Sequence, residues 1–196
     1  MRGGGERAAE RLRVLGVDPG TAVTGWGVVE RRAGAFVHLA HGTIVTTAAD
    51  ALPRKLIAIH RVLADRCAEW TPDTLALEKS FVGRNVQSAF RLGEVRGVTM
   101  LVAATLGLPV AEYSPAEVKL AVTGTGAAEK AQVACAVVRE LALATTLRPD
   151  AADALALAIC HLQSARMRLV IAVSAGRGVR GSANRAAGRG LGAERR

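Results

Sequence analysis

The sequence predicts an α/β fold, a mixed five-stranded sheet with helices on both faces. Short apolar runs bounded by turn residues, such as Val14–Val17 and Thr74–Leu77, alternate with longer segments of helical periodicity. The first three runs follow one another closely, as hairpin-linked antiparallel strands do. The later ones are separated by helix-length segments, which parallel crossovers require. The chain of 196 residues is 50% hydrophobic but only 3% aromatic, so Val, Ala, Leu and Ile must fill a core that one domain of this size can bury.

Each element has its own signature. Residues 13–18 and about 24–30 read as two strands joined by Asp18-Pro19-Gly20-Thr21, where Pro at the second position and Gly at the third suit a type II turn. A third strand covers about 35–46. Residues 51–70 form an amphipathic helix with Leu56, Ile59, Leu63 and Cys67 on one stripe. TLALE, 74–78, is a short buried strand after Pro72-Asp73. A helix over 85–106 precedes the strand LPVAEYS. Ser114-Pro115-Ala116-Glu117 has the Ser-x-x-Glu form of a capping box with Pro at the first helical position, and its helix runs to about Val122. The loop at Gly124-Thr125-Gly126 leads to a helix over 127–143, and a last helix runs from near Pro149 to about Met167.

The formal net charge of +9 is unevenly placed. Residues 166–196 carry eight arginines and one glutamate, residues 1–13 carry four arginines and two glutamates, and residues 14–165 balance fourteen basic against fourteen acidic side chains. The sequence therefore divides into an extension over 1–12, a domain over 13–167 and a Gly/Ala/Arg-rich tail over 168–196. The extension and tail are expected to be disordered, since the tail cannot bury enough apolar surface to order itself. The tail could hold polyanions without sequence preference, or could simply keep the protein in solution. No apolar stretch reaches the ~18–20 residues of a membrane span and no signal peptide is present, so no membrane partner and a cytoplasmic location are expected. Cys67, Cys135 and Cys160 lack metal-ligand spacing and read as buried, reduced thiols.

Two strands that pattern as buried stop on a carboxylate, Asp18 and Glu78, and the first turn of the last helix carries Asp150 and Asp153, three residues apart on one face. Strand ends and helix starts are where α/β folds build sites. Taken singly, Asp18 could open a turn, Glu78 could be solvated, and the aspartate pair could complement the helix dipole. Gathered together, four carboxylates would repel unless a cation joined them. Oxygen ligands without His or Cys favour Mg²⁺ or Mn²⁺ over zinc. Two such ions ~3.5–4 Å apart can clamp both oxygens of an in-line displacement at a phosphodiester. No Gly-x-Ser-x-Gly and no phosphate-binding Gly-x-x-x-x-Gly-Lys-Ser/Thr competes, and His161 reads as structural.

Four blocks, LGVDPGTAVTGWGVV, LALEKSFVGRNVQSAFRLGEVRGV, EYSPAEVKLAVTGTGAAEKAQV and DAADALALAICH, resemble in order and spacing the family of crossover junction endodeoxyribonucleases named RuvC, over about residues 13–163. The resemblance implies a ribonuclease-H-like fold. It implies a homodimer that binds four-way (Holliday) DNA junctions and nicks two strands of like polarity, leaving 5′-phosphate and 3′-hydroxyl ends. Asp18, Glu78, Asp150 and Asp153 match the family's metal-binding acids, expected to hold two Mg²⁺ ions that Mn²⁺ can replace, with Asp18 bridging them. Lys119 and Lys130 match basic residues near the site, and Phe81 matches an aromatic that contacts DNA near the junction centre. The implied partners include branch-migration motor proteins of the RuvA and RuvB type.

Arg84, Arg91 and Arg96 could add the positive charge a DNA channel needs, or could be helix-surface charges. Ala89, Gly93 and Gly97 recur every fourth residue, which points to close approach by the protein's own sheet or by a second copy. GVDPGT also resembles the first phosphate loop of actin-like and sugar-kinase ATPases, though these need two such lobes. A structural DNA-binding protein acting through its arginine tail is the third reading.

Overall fold

Residues 11–79 and 86–165 are described by the structure, a computed structural model. The expected strands and helices all form. They are β1 (Arg11–Asp18), β2 (Val23–Arg32), β3 (Ala35–Val45), α1 (Leu52–Trp70), β4 (Thr74–Glu78), α2 (Val86–Thr105), β5 (Val110–Tyr113), α3 (Pro115–Thr123), α4 (Lys130–Glu140), and α5 over 149–165. The sheet runs β3-β2-β1-β4-β5. β1, β2 and β3 pair antiparallel, while β4 lies parallel to β1 and β5 parallel to β4.

Strand alternation sorts the chain into two cores. Leu15 and Val17 of β1, Trp26 and Val28 of β2, and Leu75 and Leu77 of β4 face α1 and α2, where Ile59, Leu63, Val95 and Val102 complete the layer. Val14, Val29, Ala76 and Tyr113 face the other way, onto α3, α4 and α5 through Val118, Val133, Val137 and Leu155. Asp18 and Glu78 keep step with Val14 and Ala76, so both belong to the α5 face.

α5 lies unusually close to the sheet. A Cβ on Gly16 would fall 1.9 Å from the carbonyl oxygen of Ala154, and one on Gly25 would fall 1.9 Å from that of Asp150. Gly16 pairs with Gly27, and Asp18 with Gly25, across the β1–β2 ladder. A patch without side chains therefore receives the helix backbone. α5 answers with small residues, since Ala151, Ala154 and Ala158 are buried.

The opposite face holds a buried charge. The Glu30 side chain is fully buried and accepts from Arg13 Nη2 at 2.7 Å and Arg32 Nη2 at 2.6 Å, with Arg11 Nε at 3.2 Å. Burial pushes the Glu30 carboxyl up, but the hydrogen bonds and charges of Arg13 and Arg32, with Arg11, outweigh it and hold the group below the usual range. These contacts explain why β1 starts at Arg11 rather than 13, because Arg11 and Leu12 pair with Arg32 and Arg31.

Several expectations need correction. The chain after Asp18 is not a type II turn, since Gly20 does not take the left-handed conformation that turn demands. Gly20 is required because a Cβ there would meet the carbonyl oxygen of Val23 at 2.1 Å. The segment is held instead by Thr24, whose hydroxyl donates to the Gly20 carbonyl at 2.8 Å. Cys67 and Cys160 are buried but Cys135 is exposed, because it falls on the outer side of α4. Of the two readings of the α2 stripe, packing on the protein's own sheet is not seen: among the described residues, a Cβ on Gly93 or Gly97 would touch nothing within 4 Å. The capping box at Ser114 and Glu117 forms as expected.

Candidate active site

β1 and β4 run side by side with Val17 opposite Leu77. Each ends one residue later, on Asp18 and on Glu78. Neighbouring strands lie ~4.8 Å apart, so the two carboxylates leave the sheet together on the α5 face. α5, pressed against Gly16 and Gly25, brings its first turn over these strand ends. The resulting cleft, about 120 Å³, is lined by Asp18, Glu78 and Asp153, by Lys119 from α3 and Lys130 from α4, and by an apolar wall including Val118, Val133 and Leu157.

The electrostatics report the same convergence. The Asp18 carboxyl is pushed up to about 7, first because burial disfavours its charge, then because Asp153 and Glu78 repel it. Lys130 pulls in the opposite direction, and Asp150 adds the smallest repulsion. Glu78 is raised for the same reasons, burial first and Asp153 second, with Lys130 and Arg96 opposing. The Lys130 ammonium lies 3.2 Å from Asp153 Oδ2. Its pKa is raised chiefly by Asp153.

Of the sequence-predicted residues, Asp18, Glu78, Asp153, Lys119 and Lys130 share the cleft, while Asp150 stands outside its lining. Asp150 remains close enough to act on Asp18. Phe81 and Arg84 lie outside the described residues. Arg96 does not line a DNA channel. It is buried, at 9% exposure. Its guanidinium donates to the backbone carbonyl of Glu78 and pairs with Glu112. His161 has the structural place expected of it, with its Nδ1 2.9 Å from the Tyr113 hydroxyl.

Among the described residues, no three His, Cys, Asp or Glu side chains close into a ready-formed ligand set. The acids are gathered around one cleft, with Lys130 holding one oxygen of Asp153. This donor set fits a divalent cation of the Mg²⁺ class. It offers carboxylate oxygens alone, and burial together with the neighbouring acids pushes its most buried member, Asp18, up to about 7, which a bound cation would offset.

Residues missed at the level of sequence are Gly16, Gly25 and Gly27, which set the height of α5. The readable sign was Gly25-x-Gly27, two glycines on one face of a strand, together with an alanine-rich final helix.

The profile of the family described as Crossover junction endodeoxyribonuclease RuvC matches residues 14–161. The chain is 47% identical to the protein of that name from Syntrophomonas wolfei over 165 residues, 84% of this chain and 96% of the relative. It is 46% identical to the one from Granulibacter bethesdensis over 154 residues, 79% of this chain and 86% of the relative. Among solved structures it is similar to Thermus thermophilus RuvC in complex with a Holliday junction substrate. That match has a TM-score of 0.76 and 32% identity, and covers 80% of this chain and 96% of that one.

Proposed function

The chain belongs to the family of crossover junction endodeoxyribonucleases named RuvC, and from that premise we propose that Asp18, Glu78, Asp150 and Asp153 form its phosphodiester-cleaving site. The protein is a metal-dependent endodeoxyribonuclease whose substrate is the four-way DNA junction. The observation that carries the site reading is the meeting of two strand-end acids and a helical aspartate in one cleft with two lysines.

With Asp18, Glu78 and Asp153 ionised against the two ammoniums of Lys119 and Lys130, the cleft carries a formal charge of −1, and Asp150 adds another negative charge beside it. Two Mg²⁺ ions, which Mn²⁺ can replace, would be held by Asp18, Glu78, Asp153 and Asp150, and would supply positive charge at the attacking and leaving oxygens of the scissile phosphate. The chain's own residues do the rest. Lys119 and Lys130, from two different helices, give a DNA phosphate its countercharge at a cleft that would otherwise repel it. Asp18 must give up its proton as positive charge enters, so loading the site releases protons below pH ~7. Hydrolysis breaks the P–O3′ bond and leaves 5′-phosphate and 3′-hydroxyl ends. Phe81 contacts the DNA near the junction centre, and Arg84 adds positive charge for binding it.

The working unit is a homodimer, because two symmetric nicks need two sites related by a twofold axis. The α2 stripe supports this reading. Ala89, Gly93 and Gly97 share the helix with Val86 and Phe90, which are 61% and 71% exposed. Among the described residues, nothing beyond the helix's own backbone lies within 4 Å of a Cβ placed on either glycine. Motor proteins of the RuvA and RuvB type and a cytoplasmic location belong to the same reading. No helix among the described residues is long and apolar enough to cross a membrane.

The test is a synthetic four-way junction incubated with the protein in Mg²⁺ or in EDTA, with product ends mapped. Paired nicks at symmetric positions in Mg²⁺, ligatable ends, and none of this on linear duplex are expected. Equal cutting of linear duplex would overturn the reading.

A further inference from the structure

We propose that Arg96 is a positioning residue that holds the Glu78 end of β4 in register for metal binding, without itself touching metal or DNA. The inference rests on Glu78 being a metal ligand.

A charged side chain on the inner face of a helix is rarely buried unless it is paired, and Arg96 is buried with two partners on two different strands. Its Nη1 donates to the backbone carbonyl of Glu78, the last residue of β4. Its Nη2 pairs with Glu112 of β5, the register neighbour of Leu77. Arg96 reaches the sheet from the α1–α2 side, whereas the Glu78 side chain belongs to the α5 side. The contact is therefore with the backbone that carries the ligand.

From β5, the Lys79 N–H donates to the Tyr113 carbonyl at 2.8 Å. Residue 78 is thus gripped by α2 at its own carbonyl and by β5 at the next amide, at the point where the strand ladder stops. A carboxylate ligand needs placement to ~0.5 Å, and a free strand end does not give that. Arginine suits the role because its planar fork serves two acceptors at once, whereas lysine offers a single point donor.

Removing an outer partner of a metal ligand typically weakens binding 10–100-fold. The experiment is calorimetric titration of the metal-stripped full chain with Mn²⁺, alongside melting curves, for Arg96→Gln, Arg96→Lys, Glu112→Gln and Glu78→Gln. Arg96→Gln should weaken Mn²⁺ binding at least tenfold and Arg96→Lys by less. Glu112→Gln, which leaves the Glu78 carbonyl contact in place, should stay within threefold. Wild-type affinity in Arg96→Lys and Arg96→Gln, with Glu78→Gln weakened, overturns the role of Arg96 and leaves the site reading standing. Unchanged affinity in Glu78→Gln overturns the site reading and this inference with it. If Arg96→Gln does not fold, Arg96→Lys decides. Losses in Arg96→Lys and Glu112→Gln that merely track their melting temperatures mark a general structural tie and refute the proposal.

Discussion

Replacing Asp18 with asparagine should make the metal-free protein more stable, and the gain should grow with pH. The carboxyl is raised from 3.8 to about 7 by burial and by Asp153 and Glu78. Well below pH 3.8 the folded and unfolded states both keep the proton, and aspartate and asparagine are nearly equivalent. As pH climbs, the unfolded chain loses its proton first, so the wild type loses stability steadily until about pH 7, beyond which the deficit is complete. Roughly three pKa units at 1.36 kcal/mol each place that deficit at ~4 kcal/mol. Between pH 5 and pH 8.5 it should change by ~2.5 kcal/mol, or about 5–10 °C in melting temperature for a chain of this size. The assay is a pair of thermal melts in EDTA across that range, repeated with Mn²⁺. In EDTA the Asp18→Asn curve should lie above the wild type and diverge from it with pH. Mn²⁺ should raise the wild type and leave the variant nearly unmoved. The variant should still bind junctions and fail to cut them. A gap that is flat with pH, or a variant less stable at pH 8.5, would refute the argument that Asp18 is a charge held without its counter-ion.

Three further perturbations test the scaffold. Gly25→Ala puts a methyl 1.9 Å from the Asp150 carbonyl oxygen. It should lower stability by ~1–3 kcal/mol or more and reduce cleavage beyond what the melting temperature explains, measured as initial rates well below the melt. Glu30→Gln leaves three guanidiniums around a neutral side chain and should cost about 3 kcal/mol, near the lower end for a broken buried pair because Arg11 and Arg32 reach solvent. Because the Glu30 pKa is depressed in the fold, its stabilisation is present above the ordinary value of 4.5 and fades as pH falls through the lowered one. The gap to wild type in urea melts should therefore be flat at neutral pH and close in acid. Gly93→Leu fills the open α2 stripe and should yield monomers by light scattering; a dimer of wild-type mass would show that the second copy docks elsewhere.

What could be read in advance depended on local pattern. Short apolar runs bounded by turn residues located β1 and β4 and showed that both end on an acid. Helical spacing put Asp150 and Asp153 on one face, and Ser114 and Glu117 spelled out their cap. Contacts between distant segments left weaker traces. Gly20 was assigned a left-handed turn because Pro-Gly commonly makes one, whereas its real constraint is a carbonyl three residues on, which composition does not disclose. Arg96 was ambiguous as a charge on a helix. Yet Arg96, Thr99 and Ala103 recur at helical spacing, and the last two are small residues of a buried stripe. Arg96 therefore had to be either misplaced or paired. Glu30 showed the same signature, a charge at an inward position of β2, with its partners at Arg11 and Arg13 nineteen and seventeen residues earlier.

The glycines bear more on function than their chemistry suggests. Asp18 and Glu78 are placed by two parallel strands that any sheet of this topology would supply. Asp153 is different. It sits on a helix, and an ordinary helix stands off a sheet with interdigitated side chains filling the gap. Here the gap is removed at Gly16 and Gly25, where the α5 backbone takes the space a Cβ would need. Asp153 can then join strand-end carboxylates in one cleft and raise the pKa of Asp18 more strongly than any other charge does. Four acids grafted onto a sheet whose strands carried alanine or valine at these positions would keep the residue types and lose the convergence. Alanine at Gly25, which removes no functional group, should therefore damage cleavage as an acid-to-amide change does, and by a different route.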